Sequence, residues 1–221
     1  MKILAIIPAR GGSKRLPGKN IKLLGGQPLI VWSINIAKSI PDVCDILVST
    51  DDTSIASISS TAGALVPWLR PSDLATDSAT SVDVVLHALD WYETEHGVVD
   101  GVMLLQPTSP YRSRETILGG LKPFDQQRKS VVAVSEVKVD PARCFFIKAH
   151  GLKMCVSTPN NTQETAYAVN GALYLISPVE LRESRSFFST TSIPLIINSR
   201  RESLDIDDDF DWWLAERMLE Q

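Results

Sequence analysis

Four cations, Arg10, Lys14, Arg15 and Lys19, fall within ten residues of a chain in which Asp and Glu outnumber Lys and Arg by 26 to 22. They belong to the run Pro8-Ala9-Arg10-Gly11-Gly12-Ser13-Lys14-Arg15-Leu16-Pro17-Gly18-Lys19-Asn20. Glycines let backbone N–H groups approach an anion, and the flanking cations neutralise it, so the run suits a polyphosphate. It is not a P-loop, because five residues separate Gly12 from Gly18 and Asn20, not Ser or Thr, follows Lys19. A Gly-x-Gly-x-x-Gly dinucleotide fingerprint is also absent.

Two further points could carry chemistry. Asp205 and Asp207, one residue apart, share a face if Leu204 to Asp207 is extended, and paired carboxylates suit Mg²⁺. The same acidic run also reads as the start of a helix, with Asp208, Asp209 and Asp211 serving as cap and solvent-facing charge. Gln106 ends an apolar run, where a neutral amide can both donate to and accept from a polyhydroxylated sugar. His87, His96 and His150 are too dispersed for a ligand set, and Cys44, Cys144 and Cys155 lack C-x-x-C spacing and read as packing residues. Trp212-Trp213 also reads as core, and Asn160-Asn161-Thr162 as a chance glycosylation match.

Elements that could position these residues follow from the alternation of short β-rich runs with amphipathic stretches, which predicts a wound α/β sheet. Strands are expected at residues 2–8, 45–50, 64–67, 102–106, 130–137, 172–176 and 193–198. Helices are expected at 28–39, 53–62, 80–95, 114–126 (weakened by Gly119-Gly120), 179–184 and 208–219. The basic run then lies directly after the first strand, where open α/β sheets place their ligand loops. Residues 138–169 break the pattern and read as an excursion within one domain spanning 1–221. A net charge of -4 argues against bulk binding to nucleic acid, and the short apolar N-terminus argues against a signal or membrane span. A soluble, cytoplasmic protein is expected.

The basic run resembles the signature of the acylneuraminate cytidylyltransferase family, the CMP-sialic acid synthetases and their relatives acting on legionaminic or pseudaminic acid. Four more segments agree in order: Arg70-Pro71 through Leu74-Ala75-Thr76-Asp77 to Ser81, Leu104-Leu105-Gln106-Pro107-Thr108-Ser109-Pro110-Tyr111-Arg112, Asn170-Gly171-Ala172-Leu173-Tyr174 and Ser203-Leu204-Asp205-Ile206-Asp207. The resemblance implies a Rossmann-like nucleotidyltransferase fold and transfer of CMP from CTP to the anomeric hydroxyl of a nine-carbon acidic sugar of the N-acetylneuraminate type, releasing pyrophosphate. It implies that Arg10, Gly11, Gly12, Lys14, Lys19 and Asn20 hold the nucleotide, with Lys19 and Arg10 catalytic and Arg70 and Ser81 at the cytidine. Gln106, Tyr174, Phe187 and Phe188 are implied at the sugar, Asp205 and Asp207 at Mg²⁺, and a homodimer through the excursion. Ser109 and Arg112 are expected to shape a turn and complement the next helix.

Relatives carry basic residues in the segment before Asn-Gly, whereas residues 159–169 here contain no Arg or Lys, which leaves the acceptor open. Arg143 or Lys153 could supply that charge. Two alternatives remain: the same transfer to an eight-carbon acid, against which Gly11-Gly12-Ser13-Lys14 argues, and a nucleotide-binding regulator without catalysis, against which the joint presence of Lys19, Asp205 and Asp207 argues.

Overall fold

The computed structural model describes residues 1–149, 151–156 and 165–220; His150 and the Asn160-Asn161-Thr162 sequon lie outside the described residues. In chain order the elements are β1 (Ile3–Pro8), β2 (Leu23–Leu24), β3 (Gln27–Pro28), α1 (Leu29–Lys38), β4 (Val43–Ser49), α2 (Thr53–Thr61) and α3 (Ser81–His96). There follow β5 (Gly101–Leu104), α4 (Arg114–Gln127), β6 (Val131–Glu136), β7 (Phe145–Lys148), β8 (Gly151–Met154), β9 (Tyr167–Ile176), α5 (Pro178–Ser184), β10 (Ile193–Ile196) and α6 (Asp209–Leu219).

Six strands form one sheet in the order β10-β6-β9-β5-β1-β4. All neighbours are parallel except β9, which runs antiparallel to both β5 and β6. The mixed α/β architecture with a mostly parallel sheet is the one the alternation predicted. Strand β1 is an unbroken apolar run because both of its faces are buried. Ile3, Ala5 and Ile7 join the core under α1, α2 and α4, while Leu4 and Ile6 join the core under α3 and α5.

Local chemistry sets the helix starts. Asp52, Thr80, Ser113 and Ser177 each cap a following helix with a side-chain oxygen, and Asp208 forms a reciprocal capping box with Asp211 at α6. Helix α4 runs through Gly119-Gly120 unbroken, and packing explains the second glycine: a Cβ there would lie 2.6 Å from Leu173 Cδ2.

Several sequence expectations are corrected. Residues 64–67 form only a one-residue bridge, Leu47 to Leu65, because Pro67 has no N–H to donate to a ladder. β9 begins at Tyr167 rather than Ala172, with Tyr167, Ala168 and Val169 paired to Glu136, Ser135 and Val134, so the segment read as excursion rejoins the sheet before its end. Among its described residues the excursion holds a 3-10 turn at Pro141–Arg143 and the antiparallel hairpin β7–β8, whose eight residues are all exposed. Cys44 and Cys155 are exposed rather than packed, and Trp213 is half-exposed beside a buried Trp212, since adjacent helix positions face different directions.

A third cluster, Leu16, Leu24, Leu29, Tyr111, Leu204, Ile206, Trp212 and Ala215, ties the basic loop to the stretch before α6. By burying Leu204 and Ile206 it leaves the alternate residues, Asp205 and Asp207, outside that core.

Candidate active site

A cleft of about 500 Å³ opens at the carboxyl ends of β1 and β5. One wall is the basic loop, contributing Arg10, Ser13, Lys14, Arg15, Leu16, Lys19 and Asn20. The other walls are Arg70 with part of the segment 74–84, then Gln106, Pro107 and Thr108, and finally Asp207. Five cations therefore share the cavity with Asp77 and Asp207.

Each cation has a distinct local role. Lys19 begins a turn after Gly18, whose φ of 67° bends the chain inward. The Lys19 side chain is only 11% exposed and lies 3.5 Å from Asp207 Oδ1, and its Nζ donates to the Ile206 carbonyl at 2.7 Å. Arg15 meets the other Asp207 oxygen at 2.8 Å. Arg10 and Lys14 both meet Asp77, at 2.8 and 2.5 Å, and hold its carboxyl below the usual carboxylate range. Arg70 is buried; its Nε donates to Ser49 Oγ at 3.0 Å and a terminal nitrogen donates to the Ser49 carbonyl, so it braces β4 while lining the cleft. Burial lowers its pKa.

The loop's other members are more occupied than their spacing suggests. Asn20 donates its amide to the Arg10 carbonyl at 2.9 Å, holding the loop closed on itself. Gly11 donates its N–H to Asp51 Oδ1 at 3.0 Å, and a Cβ there would come within 2.8 Å of Asp52 Oδ2. Gly11 and Gly12 do not line the cleft, whereas Ser81, exposed on the first turn of α3, does.

On the opposite side Gln106 lines the cleft, its Oε1 lying against Gly171 where a Cβ would meet it at 2.6 Å. Gly171 has φ +79°, a left-handed conformation that suits glycine, so the backbone can pass this close. Tyr174 packs on buried Phe187 with ring centroids 5.6 Å apart; Phe188 is 47% exposed. These three rings do not line the cleft. Burial, and secondarily Asp205, pushes the Tyr174 hydroxyl up to about 12.

Asp205 has an exposed surface yet stands among enough protein atoms that desolvation raises its pKa, with Asp207 and Asp211 adding like-charge repulsion. A hydrogen bond from Thr108 and the charge of Lys19 oppose that rise without cancelling it. Among the described residues there is no group of three or more His, Cys, Asp or Glu side chains placed to hold a metal, so any cation here rests on two carboxylates. Mg²⁺ is commonly held in this way, by one or two carboxylates plus phosphate oxygens and water, and the pair fits it.

The sequence left one feature without a role and understated two others. Asp77 stood inside a quoted motif without a role, because its ion pairs to Arg10 and Lys14 span 67 and 63 residues. Arg112 is fully buried and donates to three partners, the Ala172 and Gln106 carbonyls and Ser33 Oγ, where a role in shaping a turn was expected. Ser109 is buried with its hydroxyl unpartnered.

A wound α/β sheet with a cation-rich cleft at its strand ends defines the class: this is a nucleotidyltransferase enzyme. The cytidylyltransferase family model matches residues 4–170, and the chain belongs to that family. It is 40% identical, over 100% of its length and 97% of the relative's, to the CMP-N,N'-diacetyllegionaminic acid synthase of Legionella pneumophila. It is 33% identical to the N-acylneuraminate cytidylyltransferase of Escherichia coli, covering 97% of this chain but spanning only about half (51%) of that protein. Among solved structures, a CMP:2-keto-3-deoxy-manno-octonic acid synthetase complexed with CTP superposes with a TM-score of 0.74 at 15% identity, covering 100% of this chain and 99% of that one. The 4-diphosphocytidyl-2C-methyl-D-erythritol synthase of Anaerococcus prevotii gives 0.69 at 15% identity, covering 99% and 98%. At that identity the two structures establish the fold.

Proposed function

We propose that the protein transfers CMP from CTP to the anomeric hydroxyl of a nine-carbon acidic sugar, releasing pyrophosphate, and that the acceptor belongs to the diacetyllegionaminic class. The observation that carries this reading is the seating of Lys19: a sheltered ammonium at the point where the cationic loop meets Asp207. Full-length similarity to the Legionella enzyme favours its acceptor over N-acetylneuraminate, whose relative is less similar and about twice as long.

In this reading the triphosphate lies along Arg10, Lys14 and Lys19. Attack at the α-phosphorus places negative charge on the transferred group and on departing pyrophosphate, and fixed cations stabilise both with little reorganisation. Lys19 is the catalytic cation, and Arg10 shares the developing charge. Asn20 keeps the loop folded through the Arg10 carbonyl, and Arg70 and Ser81 border the cytidine. Gln106 offers the sugar an amide oriented by Gly171, while Tyr174, Phe187 and Phe188 lie outside the cleft lining and would meet the sugar's N-acyl groups where the acceptor extends past Gln106. Asp205 and Asp207 would hold Mg²⁺, which would supply positive charge to the phosphates and lower the cost of ionising the acceptor hydroxyl.

The exposed apolar residues of the β7–β8 hairpin, Phe146, Ile147 and Leu152 at 55, 87 and 70% exposure, support a homodimer formed through this lobe. Among the described residues no helix is long and apolar enough to cross a membrane. Use of CTP, a cytoplasmic metabolite, supports a cytoplasmic location.

The test is pyrophosphate release by the purified protein with CTP, Mg²⁺ and a panel of nine-carbon acids. Release is expected with N,N'-diacetyllegionaminate at a higher kcat/KM than with N-acetylneuraminate or pseudaminate. Release with none of them defeats the assignment. Asp205→Asn with Asp207→Asn should abolish turnover while a native unfolding transition persists; retained turnover defeats the metal assignment.

A further inference from the structure

Each of the four cations of the basic loop is matched to a carboxylate from elsewhere in the chain: Arg15 and Lys19 to Asp207, Arg10 and Lys14 to Asp77. Asp207 has a reason to be there as half of the proposed metal pair. Asp77 has none in the reaction as derived above. It lies in the segment 71–80, a strap fastened at one end by buried Arg70, which donates to Ser49 and, at 3.4 Å, to the Leu74 carbonyl. At the other end Thr80 caps α3, with its Oγ1 accepting from the Asp83 N–H at 3.1 Å. Between these anchors Leu74, Thr76, Asp77 and Ala79 line the cleft opposite the basic loop. The carboxylate reaches across with both oxygens, one on the Arg10 guanidinium and the other on the Lys14 ammonium.

We propose that Asp77 is an internal competitor for the phosphate site: its carboxylate occupies the cations that a nucleotide's phosphates require and must yield them when the nucleotide binds. The proposal rests on the cytidylyl-transfer reading of the cleft and adds regulation of its affinity. The two anions cannot share the cations cheaply, because a phosphate oxygen contacting both Arg10 and Lys14 would stand within a few ångströms of the Asp77 oxygens, and like charges at that separation repel. The strap is suited to yield, since Asp77 is half-exposed on its two ion pairs while Arg70 and Thr80 hold the ends. The consequence reaches beyond substrate binding. An anion that returns to Arg10 and Lys14 weakens the hold on pyrophosphate as well as on CTP, so the strap assists product release.

Calorimetric titration of the full chain separates competition from support. Asp77→Asn keeps the size of the side chain and one acceptor oxygen and removes its charge. The variant should bind CTP, and separately inorganic pyrophosphate, about three- to tenfold more tightly than wild type at low salt, the range expected for freeing two exposed ion pairs. Pyrophosphate should also become a correspondingly stronger product inhibitor. Asp77→Glu, which retains the charge, should keep affinities near those of wild type. Unchanged or weaker binding of both ligands by Asp77→Asn would overturn the proposal, weaker binding meaning that Asp77 organises the cations instead. Equal tightening by Asp77→Glu would also overturn it, because charge would not be the cause. Failure of wild type to bind either CTP or pyrophosphate is a different result: it removes the cytidylyl-transfer reading itself and the competitor with it.

Discussion

Arg112→Met tests whether a buried cation supports this fold and its acceptor side. The guanidinium is fully enclosed and donates to the Ala172 carbonyl at 2.7 Å, Ser33 Oγ at 2.8 Å and the Gln106 carbonyl at 2.5 Å, joining β9, α1 and the end of β5. Burial lowers its pKa to about 9, partly offset by Asp205; it stays charged at neutral pH. Methionine fills similar volume without donors. Bonds from a charged donor contribute about 1.5–3 kcal/mol each, a gross loss of about 5–9 kcal/mol for three. Removing a desolvated cation returns several kcal/mol, leaving a net destabilisation of about 2–4 kcal/mol. Urea unfolding at neutral pH should show this as a lower midpoint with an unchanged slope. The Gln106 tie adds a functional signature. KM for the sugar should rise about three- to tenfold while KM for CTP stays near wild type, since the basic loop lies on the other wall. A variant as stable as wild type would refute this balance by showing that the desolvation cost cancels the three bonds. An unchanged sugar KM would show that Gln106 is positioned by other contacts.

The adjacent glycines of α4 should respond in opposite directions to alanine. Gly120→Ala forces a Cβ to 2.6 Å from Leu173 Cδ2 and should cost about 1–3 kcal/mol despite alanine's better helix propensity. Gly119→Ala meets only Leu195 Cδ1, at 3.8 Å, and should stabilise by about 1 kcal/mol; thermal unfolding of both variants checks the pair. Ile147→Glu with Leu152→Glu, opposed residues on the β7–β8 hairpin, should convert a dimer in sedimentation velocity to a monomer, and a wild type that sediments as a monomer removes the interface.

Much of the fold was legible because its signals are local. β1 and β5 read as buried strands from continuous apolar runs, and α3 from Val82, Val85, Leu86 and Leu89 on one face, all of which are buried. The start of β9 was not legible: Tyr167, Ala168 and Val169 are exposed and follow a polar stretch, so only their pairing with β6 makes them a strand. Residues 64–67 erred the other way, having strand composition but no partner beyond one bridge.

The amino-acid sequence by itself determined which charges the protein would concentrate and where along the chain: Arg10, Lys14, Arg15 and Lys19 after the first strand, and Asp205 and Asp207 at alternate positions near the end. Periodicity and charge density are properties of neighbouring residues, and neighbours are what a sequence records. Only the tertiary structure decided how those charges are answered. It brought Asp77 onto Arg10 and Lys14, set Lys19 between the Ile206 carbonyl and Asp207, and buried Arg112 behind Gln106. Each pairing joins residues that share no spacing rule, because the distance that governs electrostatics is measured through the folded cleft.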